Sequence, residues 1–396
     1  MKNILIAIRS IFKKGRHNVM KIVSLGIGLA VGLVLIAKVY FEQSYDDFYP
    51  DRDRVYQVWA KYQQNGGELK DYPQTSGGIA PTMQQQIPEI ETVTRYTSFG
   101  DWTFTMTDTK MKYSGRCIIA DSCFFDILPR PMLIGNAKEV LSTPMYVLIS
   151  SRIAKNIGGD VIGKNFTVDN SPGRTMTIGG VFEEVPENSH SRYDVIVSMA
   201  SAGRFMWEGS PTNMLGNDRY ISYVKLHKGV NPLALEEQVR TFVNSYFPPE
   251  EQQKVGLSID FSFHKLDNLH KELPQVKRMT WILSLLAFAL IFTAVMNYIL
   301  IVISSIVNRS KEVAVHKCYG ASENNIHGMM FGEALVHIVL SLILALLLIL
   351  AFRGTVEELL ATSLDSLLLS NGSLVLLGIC TVSYTHLRAH ETRRHL

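Results

Sequence analysis

The chain has 396 residues, with 39 Lys and Arg against 36 Asp and Glu and a net charge of +3. That near balance excludes the basic excess with which a nucleic-acid-binding domain neutralises phosphates. A mean hydropathy of +0.10 excludes little, because it averages two populations: strongly apolar runs at both ends, and a polar stretch of globular composition over roughly residues 42–278.

Residues 1–21 carry Lys2, Arg9, Lys13, Lys14, Arg16 and Lys21 and no acid. Ile4, Ile8 and Ile11 recur there at helical spacing, with Leu5 and Phe12 beside them. This reads either as an interfacial helix on an anionic leaflet or as a cytoplasmic start to the first span. A bilayer core needs about 20 apolar residues in helix. Residues 22–41 supply them, broken only by Ser24, Gly26, Gly28, Gly32 and Lys38, and Lys38 is placed to snorkel. The run is too long for a signal peptide, and Val39-Tyr40-Phe41-Glu42 offers no small-residue cleavage site, so it is expected to stay as an anchor.

The polar stretch alternates strand and helix patterns and predicts an α+β domain over 42–278, divided into two lobes. Strands are expected at 54–62, 147–150, 166–168, 176–182, 193–198 and 220–226. Helices are expected at 81–86, with Pro81 in the first turn, at 151–157, ended by Gly158-Gly159, and at 231–246, capped by Asn231 with Pro232 at N1. Ser171-Pro172-Gly173 reads as a turn. Cys117 and Cys123 lie close enough in sequence to close a small loop; two free buried thiols are the simpler expectation. The segment from Gly158 to Asn165 approaches the phosphate-loop pattern but has Asn165 where a hydroxyl must meet magnesium, and follows a helix, so it reads as a turn into a strand. Glu183, Glu184, Glu187 and His190 surround Pro186 and read as a solvated loop. No nucleophile–base pairing or ligand set points to catalysis, a metal or another cofactor.

Two further spans are predicted at 279–307 and 329–352. Between them, 308–328 is a short charged segment held at a membrane face, the position at which a membrane protein receives force from a soluble partner. Its Arg309, Lys311 and Lys317, with the basic residues of 1–21, place both segments in the cytoplasm. The loop 353–371 has one arginine against Glu357, Glu358 and Asp365, and is expected outside with 42–278. A fourth span starts at 372–383 but gives way to a run rich in Arg and His. Residues 384–396 cannot complete it and are expected to be a non-native tail; His386 and His390, at metal-ligand spacing, lack a third ligand there. Within the spans, Asn297 lies mid-helix, while Glu333 and His337 share one face with Ser341. Such groups either serve function or hydrogen-bond between helices as packing glue. The fold class is thus an α-helical polytopic membrane protein, with three full spans and part of a fourth, and a large α+β extracytoplasmic domain between the first two.

Asn297-Tyr298, followed by Asn308-Arg309-Ser310-Lys311-Glu312-Val313-Ala314-Val315-His316-Lys317-Cys318-Tyr319-Gly320-Ala321, resembles the cytoplasmic signature of MacB/FtsX-type ABC transporter permeases. His316 stands where arginine is commoner. The resemblance extends to Ala7-Ile8-Arg9-Ser10, Ser44-Tyr45-Asp46-Asp47-Phe48, Arg54-Val55-Tyr56, Val181-Phe182 and Val185-Pro186-Glu187-Asn188-Ser189-His190, so it covers most of residues 1–380. It implies four spans per unit in a bacterial inner membrane, with the N-terminus cytoplasmic and the large domain periplasmic. It also implies a cytoplasmic ABC ATPase, a second permease unit as a further copy or an internal repeat, and a periplasmic adaptor as a further candidate partner. Arg309, Lys311, Glu312 and Lys317 would meet the ATPase as polar contacts and Val313 and Val315 as apolar ones, with Gly320 ending the helix. The implied function is coupling of ATP hydrolysis to movement of the outer domain, for export or extraction of a hydrophobic or peptide-like cargo. A non-transporting scaffold that regulates extracytoplasmic enzymes such as cell-wall hydrolases is the alternative.

Overall fold

The computed structural model describes residues 18–169, 171–308, 315, 318 and 323–369. They fall into two compact units, Tyr45–Glu272 and the residues on either side of it. The helices used below are, in chain order, α1 (Asn18–Gln43), α2 (Ile79–Gln86), α3 (Ser151–Ile157), α4 (Glu236–Tyr246), α5 (Pro274–Asn308), α6 (Glu323–Ala351), α7 (Arg353–Leu360) and α8 (Leu364–Leu369).

The Tyr45–Glu272 unit is built on one sheet. Its strands are β1 (Val55–Gln64), β2 (Lys70–Tyr72), β3 (Ile90–Met106), β4 (Lys112–Ala120), β5 (Met132–Ile134), β6 (Tyr146–Ser150), β7 (Asn165–Val168), β8 (Ser171–Phe182), β9 (Val195–Ser198), β10 (Ile221–Leu226) and β11 (Leu257–Lys265). The order along the sheet is β11-β1-β10-β3-β4-β9-β6-β8-β5, with β2 on β1 and β7 bridging β3 and β8. Most pairs are antiparallel; β4 with β9 and β6 with β8 are parallel.

The apolar runs of β6 and β9 explain how the centre is covered. Val147 and Ile149 enter one core and Leu148 another, while Val195 and Val197 join the first and Ile196 the second. Successive side chains point to opposite faces of a strand, so an unbroken apolar run marks a strand buried on both sides. A third cluster, with Met83, Phe242 and Phe261, packs α2 and α4 onto β1, β10 and β11. Where two lobes were expected, three core clusters share one continuous sheet.

Several local expectations shift by a few residues. Helix α2 starts at Ile79, which puts Pro81 at its third position, where the missing N–H is an orphan in any case. The expected helix 231–246 opens as a 3₁₀ turn, Pro232–Leu235, before α4; Asn231 still caps it, accepting from the Leu233 N–H at 3.1 Å. Ser171-Pro172-Gly173 joins the start of β8 rather than forming a separate turn, with Gly173 at φ +89°. Helix α3 begins on Ser150, whose hydroxyl accepts from the Ile153 N–H, and ends at Gly158 with φ +77°; the chain then turns into β7.

In the other unit, three helices among the described residues are long and apolar enough to cross a membrane, over Asn18–Gln43, Pro274–Ser304 and Gly332–Ala351. Helix α5 has 35 residues. At 1.5 Å per residue it is about 52 Å long, well beyond a hydrocarbon core of about 30 Å, so it must tilt or protrude. Two glycines of α1 let α5 come close. A Cβ at Gly28 would lie 2.2 Å from the Ala294 Cβ, and one at Gly32 would lie 2.4 Å from Ile291 Cγ1.

Lys38 does not snorkel. It is buried, 2.7 Å from Glu42 Oε1, and donates to Thr362 Oγ1 at 2.7 Å. A buried ammonium is tolerable only with such partners. The segment expected as the loop 353–371 contains α7 and α8. Arg353 holds them together by pairing with Glu357 at 2.9 Å and Asp365 at 3.0 Å, and Leu364 packs against the span residues Ala30, Ala345 and Ile349.

Candidate functional site

Three places are candidates. The first is the charged segment between α5 and α6. Arg309, Lys311, Glu312, Val313, Lys317 and Gly320 lie outside the described residues, as do the predicted fourth-span start and tail, 372–396. Val315 and Cys318 are helical and exposed.

The second is the polar stripe of α6. Glu333, His337 and Ser341 recur every fourth residue, which puts them on one helix face, and all three are buried. Ser341 Oγ donates to the Ile22 carbonyl of α1 at 3.2 Å. The His337 ring meets the Tyr298 ring of α5 edge-on, with centroids 6.2 Å apart. The stripe thus touches both neighbouring spans, the arrangement expected of polar contacts that fix helices in lipid. Asn297, one residue from Tyr298, is exposed.

The third was not visible in the sequence. Asp46 and His190 are 144 positions apart and form a buried cluster. Asp46 is fully buried, with φ +60° in the left-handed region that Asp and Asn tolerate best among side-chain-bearing residues. Its backbone N–H donates to the Asn188 carbonyl at 2.9 Å. Its carboxylate accepts from Ser189 Oγ at 2.9 Å and from His190 Nδ1 at 2.6 Å. The far nitrogen of His190 lies 3.0 Å from Ser191 Oγ and beside the Tyr223 hydroxyl, and Ser191 Oγ lies 2.7 Å from the Tyr96 hydroxyl. One chain of polar contacts therefore runs from Asp46 to β10 and β3.

Burial pushes the Tyr96 phenol up to about 12, and raises Tyr49, Tyr193 and Tyr223 as well. All four sit in the same core cluster.

The segment expected as a solvated loop is therefore tied down. His190 is half-buried against Asp46, Glu183 pairs with Arg130 at 2.8 Å and Glu184 with Arg152 at 3.4 Å. The signal that could have marked it was the pairing of two short motifs, Ser44–Phe48 and Val185–His190, which meet at Asp46. Among the described residues, no three or more His, Cys, Asp or Glu come together as a metal site. Cys117 and Cys123 are free thiols, and burial raises both.

Comparison with known proteins covers both units. Residues 20–242 match the family model of the MacB-like periplasmic core domain, and residues 284–387 match that of the FtsX-like permease C-terminal domain. A solved domain of a protein described as a permease, from Porphyromonas gingivalis, is 33% identical; the match covers 55% of this chain and 91% of that one, with a TM-score of 0.51. The periplasmic region of MacB from Actinobacillus actinomycetemcomitans is 14% identical over 52% of this chain and 87% of its own, with a TM-score of 0.36. The extracellular domain of YknZ, a noncanonic ABC-type transporter from Gram-positive bacteria, is 11% identical over 52% of this chain and 98% of its own, with a TM-score of 0.37. No curated protein matches. With one family model covering more than half of the chain and a second covering the spans that follow, the chain belongs to the MacB/FtsX-type ABC transporter permeases.

Proposed function

We propose that this chain is the membrane-spanning subunit through which a cytoplasmic ABC ATPase moves a large extracytoplasmic domain, to export or extract a hydrophobic or peptide-like cargo. The N-terminus and the segment 308–328 face the cytoplasm of a bacterium, and Tyr45–Glu272 lies on the other side of its inner membrane. A second permease unit completes the membrane part. The observation that carries the reading is the match of residues 284–387 to the FtsX-like permease model, with the charged segment between α5 and α6 inside it. The stripe of Glu333, His337 and Ser341 supports it, because it ties α1, α5 and α6 into one body able to pass on a push.

Glu312 is the residue to test. Glu312→Arg reverses the charge offered to the ATPase without entering the hydrocarbon. The variant is expected to insert and accumulate like the parent, while the purified complex still hydrolyses ATP and no longer changes conformation in its large domain. A variant whose large domain responds to nucleotide like the parent's would remove Glu312 from the docking surface. Orientation is checked separately, by labelling single cysteines at Lys70 and Arg353 with a membrane-impermeant maleimide in whole cells; both are expected to react.

A further inference from the structure

Within the globular unit, strand β4 is paired with β3 from Lys112 to Ala120, but only half of its other side is paired. Residues 117–120 lie against β9, which begins at Val195. Just before that ladder, the Arg116 N–H donates to Asp194 Oδ2 at 3.0 Å, and its carbonyl accepts from the Asp194 N–H at 2.8 Å. Backbone groups two residues apart in a strand point to the same side. The N–H and carbonyl of Ser114 therefore point the same way as those of Arg116, where no strand among the described residues follows. The opposite strand agrees. Thr103, directly across from Ser114, has its hydroxyl 3.2 Å from the Ser114 hydroxyl, and its carbonyl accepts from the Asp169 N–H at 3.0 Å on the far side of β3. A cleft of about 400 Å³ opens beside this free edge, within the size range of small-ligand sites. Gly115 shapes it: a Cβ there would lie 2.9 Å from the Asp194 Cβ, so glycine lets the chain before β9 close against β4. Three arginines and three acids line the cleft. Arg152 is engaged within the wall, 2.6 Å from Asp194 Oδ1 and 3.4 Å from Glu184 Oε1. Arg116 and Arg192 are exposed, and neither guanidinium pairs with a carboxylate among the described residues. One unpaired acid, Asp101, stands across from Arg116 on β3.

We propose that this cleft binds the carboxyl-terminal end of an extended peptide, whose main chain adds to β4 at Ser114 and whose terminal carboxylate is held by Arg116 and Arg192. An open strand edge recognises a main chain, because its unpaired N–H and carbonyl repeat the pattern of the missing strand. A guanidinium recognises a carboxylate through paired, charge-assisted hydrogen bonds. The near balance of charge in the cleft decides between ligand classes. A phosphate or another multiply charged anion would leave the strand edge unused and would meet three carboxylates. An internal stretch of peptide would leave both guanidiniums unused. A peptide end brings one negative charge directly after a run of amides, which is the sequence of groups that the edge and the two arginines present. The site lies wholly within Tyr45–Glu272, and its test does not depend on the coupling function.

The test uses the full chain in detergent and tetraalanine carrying fluorescein on its amino terminus, with binding read by fluorescence polarisation. The free acid is expected to bind saturably, and the same peptide with a carboxamide end to bind about tenfold or more weakly, the usual worth of a hydrogen bond to a charged group. Arg192→Gln is expected to weaken the free acid by a similar factor and to leave the carboxamide peptide unchanged. Ser114→Pro removes the edge N–H, a change that strands tolerate where that N–H is unpaired. It is expected to weaken both peptides alike, with the melting transition of the globular unit unmoved. No saturable binding of the free acid overturns the proposal. So does equal binding of acid and carboxamide, and so does acetate that displaces the labelled peptide as well as unlabelled tetraalanine does, since the cleft would then be an anion site without strand addition. Should Ser114→Pro unfold the domain, the parent decides alone, with free-acid peptides N-methylated at one amide at a time. At least one methyl is expected to cost about tenfold, and equal binding of every methylated peptide overturns the strand addition.

Discussion

The globular unit and the spans of this chain are held together by opposite means. Between Tyr45 and Glu272, large side chains such as Phe104, Phe166, Phe182 and Phe242 are almost wholly buried. In the spans, the large side chains Trp281, Leu285, Phe288 and Leu300 face outwards, and small residues, Gly28, Gly32, Ala287 and Ala294, fill the contact between α1 and α5. In water, removing apolar surface drives folding at about 25 cal/mol per Å². In lipid the outside is as apolar as the inside, so helices associate through close packing and polar contacts. The same amino acids therefore have inverted roles on the two sides of residue 44.

Three experiments on the full chain in detergent sharpen that contrast. The largest effect is expected at high pH. An unfolded tyrosine ionises near pH 10, whereas burial raises Tyr96 to about 12 and raises Tyr49, Tyr193 and Tyr223 as well. Because the folded state holds these protons more tightly, the stability they support is intact below pH 10 and is lost as pH rises towards the folded values. The loss is about 1.4 kcal/mol per tyrosine for each pH unit past 10. The globular unit should unfold cooperatively between about pH 10 and 12, with tyrosinate absorbance and loss of strand circular dichroism appearing together. Gradual ionisation without unfolding would mean that these phenols are less enclosed than they look.

Next in size, Phe104→Ala should destabilise the globular unit by about 3–5 kcal/mol through lost transfer energy and a cavity. Its melting transition should fall sharply while membrane insertion is unchanged. The smallest effect is expected from Gly28→Val. Its Cβ would have to displace Ala294, at about 1–3 kcal/mol for overpacking, and α5 should become more sensitive to protease, with the globular transition unmoved. If Gly28→Val instead melted the globular unit, the two parts would not be independent in their packing.

The spans were legible in the sequence because an uninterrupted run of about 20 apolar residues matches the thickness of a bilayer and little else in a protein. Helix α3 was equally plain, since Ser150 and Gly158-Gly159 mark its two ends locally. The strands of β6 and β9 announced themselves as short unbroken apolar runs. What the sequence hid was partnership. Nothing local says that Asp46 waits for His190, or that Lys38 will find Thr362, 324 residues further on. Read locally, His190 falls in a solvated loop and Lys38 at the membrane interface, because a charge read alone has nowhere else to go. The number of lobes was hidden for the same reason: whether neighbouring strands share a sheet depends on pairings such as β1 with β10 and β11, which no window of sequence contains.

That last pairing also bears on how the protein is made. Strand β1 is the first of the sheet to be synthesised, and apart from the short β2 its neighbours, β10 and β11, are the ninth and tenth strands to follow it. The sheet cannot close around Val55–Gln64 until the ribosome has passed Lys265. At 5–20 residues per second, that interval is about 10–40 s. During it the first span is already available to anchor the chain, while an apolar strand edge stays open to misplaced partners. The cell must therefore shelter the nascent domain until its end arrives, and a delay or pause in that stretch would cost yield before any step of the transport cycle begins.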